Sequence, residues 1–221
     1  MPQKKNDHVC VFPNIDYHAK FDELSAQGIP PMMMSLVRDR AGWIPDMQRI
    51  LTLQDLENSI RTEVARYYKH SDDDILQDVF HKIQIWGGEH GRYIYVQGPA
   101  FDWSEVGPCY RRLVRPVLED GRTVECLARK AKAMNTAMQI QGRRLGISFI
   151  TKHVHFWSAV CRGDDALPIF DRIMAQGLGV RLDWGYLPAY WEEMQEKASS
   201  LDISVDALER QLFNYFKIST K

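Results

Sequence analysis

The 221 residues, 45% hydrophobic and 26% charged, suffice to bury a good core in one domain or in two closely packed lobes. No apolar run of roughly 18 residues occurs and the start, Met1-Pro2-Gln3-Lys4-Lys5-Asn6-Asp7, is polar, so neither a membrane span nor a signal segment is expected, and a soluble, intracellular protein is. The formal charge is only −1, and the four cysteines, Cys10, Cys109, Cys126 and Cys161, are too scattered for a zinc ribbon or a disulfide framework, so reduced thiols are expected.

The opening is irregular and marked by Pro13, Pro30, Pro31 and Pro45. Thr52 can cap a helix running to about Tyr68, and Ser71-Asp72-Asp73-Asp74 resembles a capping-box start for a helix carrying Ile75, Val79, Ile83 and Trp86, ended by Gly87-Gly88. Tyr93-Ile94-Tyr95-Val96 has strand-like composition, too short for a sheet, and reads as an extended connector. Helices follow again. Thr123 to about Gln141 and Ser148 to Cys161 form a pair, and Phe170 to Gln176 a short third helix opened by Asp171. Pro188 suits the first turn of a helix reaching Ser199, and Ser204 caps another whose Val205, Leu208, Leu212 and Phe216 share a face. The expectation is a mainly α, two-lobed protein with a cleft between the lobes.

Wound at about 100° per residue, the segment 148–161 gathers Phe149, Ile150, Val154, Phe156, Trp157, Val160 and Cys161 on one side. That side seeks a core. Ser148, Thr151, Lys152, His155 and Ser158 form a narrow polar stripe, to be turned toward a cleft or solvent, with Lys152 at its edge. A lysine is common on any amphipathic helix, so the plain reading stands beside a functional one. His153 falls in the apolar arc and is expected to be buried and hydrogen-bonded. His155, two residues on and on another face, is free to reach DNA and unable to share a metal with it. Arg162-Gly163-Asp164-Asp165-Ala166 is turn-forming and Pro168 favours extended backbone before it, so the chain folds back. Asp171 then occupies an N-cap position, where a carboxylate is fixed and suits stabilising a cationic transition state.

Charge is segregated. From Arg111 to Arg162 there are eleven Lys and Arg against three acids, a balance of +8, which leaves −9 on the rest of the chain. A basic segment inside an acidic remainder is what a protein gripping a phosphate backbone on one face would carry, although solvated helix faces give the same count.

The pattern Ser148-Phe149-x-Thr151-Lys152-His153-x-x-Phe156-Trp157, followed by Leu167-Pro168-Ile169-x-Asp171, resembles the helix-hairpin-helix DNA glycosylase superfamily, in particular its bacterial 8-oxoguanine DNA glycosylase-like branch. The resemblance is strongest over 143–178, with weaker similarity over 83–91 and the last helix. It implies that Lys152 attacks the sugar and Asp171 assists. It also implies that the hairpin turn meets a DNA phosphate, with Arg143, Arg144, Gly146, Ser148, Thr151 and His155 at the DNA. The turn departs from the usual Leu-Pro-Gly-hydrophobic-Gly: it reads Arg144-Leu145-Gly146-Ile147-Ser148, with two extra residues before the lysine and a serine for the second glycine. Within one glycosylase-like unit spanning 1–221, residues 123–178 would be the hairpin and catalytic segment, and 179–221 helices packing on the N-terminal lobe.

The implied activity is that of a monomeric, cytoplasmic DNA glycosylase acting on the bacterial nucleoid, with AP lyase activity and without metal or cofactor. The four grouped cysteines of iron-sulfur relatives are missing near the C-terminal end. Its partner would be double-stranded DNA with a damaged or modified base, 8-oxoguanine by default. Trp86 and Gly87 are candidates for the far wall of the base pocket, Trp86 as a stacking face and Gly87 for close backbone approach; a core tryptophan followed by a glycine helix stop is the alternative. Other readings are a glycosylase for modified bases of foreign phage DNA, a non-catalytic hairpin module with Lys152 on a phosphate, and a helical protein whose basic segment meets an acidic partner.

Overall fold

The computed structural model describes residues 9–19, 27–41, 47–96, 100–119, 123–140 and 145–219. Among these there are ten α-helices and no β-strand, so the protein is mainly α-helical, as expected. The prolines of the opening do not keep it wholly irregular: Pro31 starts α1 (Pro31–Ala41), where a missing N–H costs nothing. Thr52 caps α2 (Leu53–His70) through a reciprocal pair with Asp55, each side chain accepting from the other's amide at 3.0 Å. Ser71 does not open the next helix. It closes α2 in a left-handed conformation (φ 53°), and Asp72 caps α3 (Asp73–Trp86) by accepting from Asp74 N.

Tyr93–Val96 is one turn of helix, α4, continuing a 3-10 turn over Glu89–Arg92, rather than an extended connector. Ile94 and Tyr95 are buried, and the Tyr95 hydroxyl lies 2.5 Å from His81 Nδ1 of α3. Tertiary contact overrides the β-propensity of the four residues. α5 (Trp103–Leu118) follows, then α6 (Val124–Ile140), α7 (Ile147–Arg162), α8 (Arg172–Gly177), α9 (Leu187–Ser200) and α10 (Val205–Ser219).

α7 occupies the middle, packed against α2, α3, α5 and α6, while α10 packs on α8 and α9. Its apolar face carries Ile150, Val154, Phe156 and Trp157, all fully buried. The polar atoms on that face are paired, as burial requires. Trp157 Nε1 donates to the Tyr110 hydroxyl at 2.6 Å, that hydroxyl lies 2.8 Å from His153 Nδ1, and Gln84 Nε2 lies 2.9 Å from His153 Nε2. His153 is thus the buried, hydrogen-bonded histidine expected, and burial pushes its pKa down to about 3, so it is neutral. The C-terminal helices reach back to the early chain: Arg210 pairs with Glu57 of α2 at 2.5 Å, Gln211 bonds the Tyr17 carbonyl, and Glu193 accepts from Cys10 N. Among the described residues no helix is long and apolar enough to cross a membrane.

Candidate active site

α7 ends at Gly163, whose φ of 58° favours glycine, and a 3-10 turn over Gly163–Asp165 reverses the chain. Residues 166–170 then return along α7, buried and without regular structure. Buried main chain of this kind must find its hydrogen bonds in side chains. Ser158 Oγ accepts from Leu167 N at 2.8 Å, Thr151 Oγ1 accepts from Phe170 N at 3.1 Å, and His155 Nδ1 lies 3.2 Å from Leu167 O. From the other side, Trp191 Nε1 donates to Pro168 O and Tyr190 Oη to Ile169 O, both at 2.8 Å.

The polar stripe of α7 is therefore turned inward, against the returning chain, and not toward solvent. Thr151, His155 and Ser158 are all buried. Thr151, expected at a DNA surface, has its hydroxyl enclosed between α7 and Phe170. His155 is likewise enclosed, and burial, the dominant influence, lowers its pKa. Held this way, the return delivers Asp171 to the start of α8, where its Oδ1 accepts from Met174 N at 2.9 Å, the N-cap read from the sequence.

Asp171 and Lys152 line one cavity of about 240 Å³, together with Trp86, Gly87, His155 and residues of α2 and α10. Lys152 is half-buried, and among the described residues it forms no ion pair. Burial lowers its pKa, against the pull of Asp171 and Glu209. Its Nζ stands 4.5 Å from the centre of the Phe149 ring. That ring lies close over Gly87, where a Cβ would come within 2.3 Å of Cε1. Gly87 thus makes room for Phe149. Trp86 packs edge-on against Phe156, with 5.1 Å between ring centres, and is both a core contact and a cavity wall.

α10 supplies a wall that sequence reasoning missed: Asp206, Glu209, Arg210, Phe213, Asn214 and Lys217. These recur at three- and four-residue spacing beside the apolar face of the helix, a signal that a solvated helix face would also give. Arg210 bridges Glu57 and Asp206, at 2.5 and 3.1 Å. Oε2 of Glu57, Oε2 of Glu209 and Oδ1 of Asn214 are buried without a hydrogen-bond partner among the described residues. Burial, reinforced by Asp206, raises the Glu209 pKa well above the usual carboxylate range.

Gly146 is exposed and Ser148 half-exposed at the start of α7, where Gly146 offers no side-chain cap and the first amides lack intrahelical partners. Arg143 and Arg144 lie outside the described residues. All four cysteines are free thiols. Among the described residues no group of three or more His, Cys, Asp or Glu side chains is arranged to hold a metal ion. No protein-family model, curated protein or solved structure matches the chain.

Proposed function

We propose that the protein is a DNA glycosylase of helix-hairpin-helix type, in which Lys152 attacks the deoxyribose of an extruded nucleotide and Asp171 stabilises the developing positive charge. The observation that carries this reading is the convergence of Lys152 and Asp171 on one cavity of about 240 Å³. A volume above the roughly 150 Å³ that holds benzene suits a single heterocyclic base. A base inside a duplex is out of reach, so the nucleotide is flipped into the cavity at a cost of about a few kcal/mol. In this reading the cavity is the floor of a cleft between two lobes, and the amides at Gly146 to Ser148 meet a phosphate beside it.

Nucleophilic attack needs a neutral amine, and burial favours that form of Lys152. A lysine serving only as a phosphate contact has no need of such desolvation, which favours the enzyme over a non-catalytic binding module. Attack at C1′ expels the base, and ring opening gives a Schiff base from which β-elimination nicks the strand. The excised base is 8-oxoguanine by resemblance, with modified bases of phage DNA as the second substrate class.

Borohydride reduction in the presence of lesion-bearing duplex is expected to give a covalent adduct that disappears in Lys152→Ala; an undiminished adduct assigns the nucleophile elsewhere. Asp171→Asn isolates the charge, because asparagine caps a helix as well as aspartate. It is expected to leave duplex binding intact and slow base release by about 10²–10³-fold. A single-lesion panel, including modified phage DNAs and read as free base, identifies the substrate.

A further inference from the structure

We infer that Glu209 is the general acid that hands a proton to the departing base. The inference rests on the glycosylase reading above and adds to it a third catalytic group, contributed by the last helix. Glu209 is 8% exposed and lines the same cavity as Lys152 and Asp171. Its Oε2 has no hydrogen-bond partner among the described residues. His155 Nδ1 lies 3.7 Å from it and is engaged by the Leu167 carbonyl at 3.2 Å, while the carboxyl group as a whole feels a hydrogen bond from the Ile169 main chain. An unpartnered carboxyl oxygen at that depth costs free energy unless an occupant of the cavity completes it.

The charges around Glu209 decide its protonation. Asp206 and Arg210 neighbour it on α10, Asp171 faces it from the cap of α8, and Lys152 and His155 from α7. Glu57 of α2 is tied to Arg210, and Tyr190 of α9 stands near enough to feel the Glu209 charge. Burial, with Asp206 and Asp171, outweighs Arg210 and the Ile169 main chain and raises the pKa of the carboxyl, which favours its neutral form. One carboxyl kept protonated beside another that caps a helix is how a site divides acid work from charge stabilisation.

The step balances. The Lys152 Nζ lone pair forms the bond to C1′ as the bond from C1′ to the base breaks, its electron pair leaves with the base, and the Glu209 proton passes to that base. The Glu209 carboxylate so formed takes a proton from the alkylated Nζ. This restores the acid and leaves the neutral secondary amine that opens the sugar.

The test compares two reactions of the full chain, single-turnover base release from a duplex carrying one 8-oxoguanine and borohydride trapping on the same duplex with an abasic site there. Only the first has a base to protonate. Glu209→Gln is expected to trap abasic DNA like the wild type while releasing base about 10²–10⁴-fold more slowly. Release at the wild-type rate, or loss of trapping as well, overturns the inference. A second measurement needs no variant: in the wild type, release must fall on an alkaline limb that trapping lacks, and a limb shared by both reactions or absent from both overturns it. Wild-type protein that traps abasic DNA but releases no base from this duplex or from modified phage DNA also overturns it. Wild-type protein that fails to trap abasic DNA overturns the glycosylase reading itself.

Discussion

Glu209 is a buried acid with Asp206 and Asp171 beside it, and its effect on stability has a definite sign. Its folded pKa stands well above the ordinary value of 4.5, so over the interval between the two the native state binds more protons than the unfolded chain. The stability this contributes is complete below pH 4.5 and is lost as the pH rises through the folded value. Glu209→Gln removes the dependence. Denaturant unfolding across that range is therefore expected to show the variant gaining on the wild type as the pH rises, and parallel curves would mean that Glu209 is ionised in the native state. The placements of Lys152 and Asp171 were legible in the sequence because their signals are local, a lysine at the edge of an amphipathic helix and a helix-capping carboxylate just after Leu167-Pro168, while the roles proposed for them come from the resemblance. Nothing local separates Glu209 from a solvated glutamate. Its depth depends on α10 docking against α8 and α2, which spacing along one helix does not encode.

Among the elements, helix starts read best, since Thr52, Asp171, Pro188 and Ser204 each act through neighbours in sequence. Tyr93–Val96 departs from its strand-like composition because its conformation is set by packing on α3; the polar stripe of α7 meets the cavity at Lys152 and His155, one of the two outcomes expected, but helical periodicity does not show what the rest of that face meets. What it meets is the returning chain, and Thr151 is the fastening closest to Asp171. Thr151→Val keeps the shape but leaves Phe170 N buried without its acceptor. It is expected to lower stability by about 1–3 kcal/mol, measured by denaturant unfolding, and, on the glycosylase reading proposed above, to slow base release because Asp171 directly follows the loosened residue. Unchanged stability would show that the return is held by Ser158, Tyr190 and Trp191 alone.

Across the whole molecule, the basic segment does not act as a block of eleven free cations. Arg111 pairs with Asp73 and Arg115 with Glu119, whereas Arg112, Arg129, Lys130 and Lys132 are exposed. If α6 grips duplex DNA, Lys130→Ala combined with Lys132→Ala is expected to flatten the dependence of log K on log salt by about 0.9 for each phosphate left without its cation. Anisotropy titrations over a salt series measure the slope, and an unchanged slope moves the grip away from α6. The cavity has a consequence of another kind. Its walls are gathered from Gln27 to Lys217, so no contiguous fragment encloses it. A chain still on the ribosome, with α7 made and α10 not yet emerged, holds Lys152, the nucleophile of the proposed reaction, without a chamber. On the glycosylase reading, activity is expected only once the final wall docks, and halves expressed separately are expected to recover it only by reassembling.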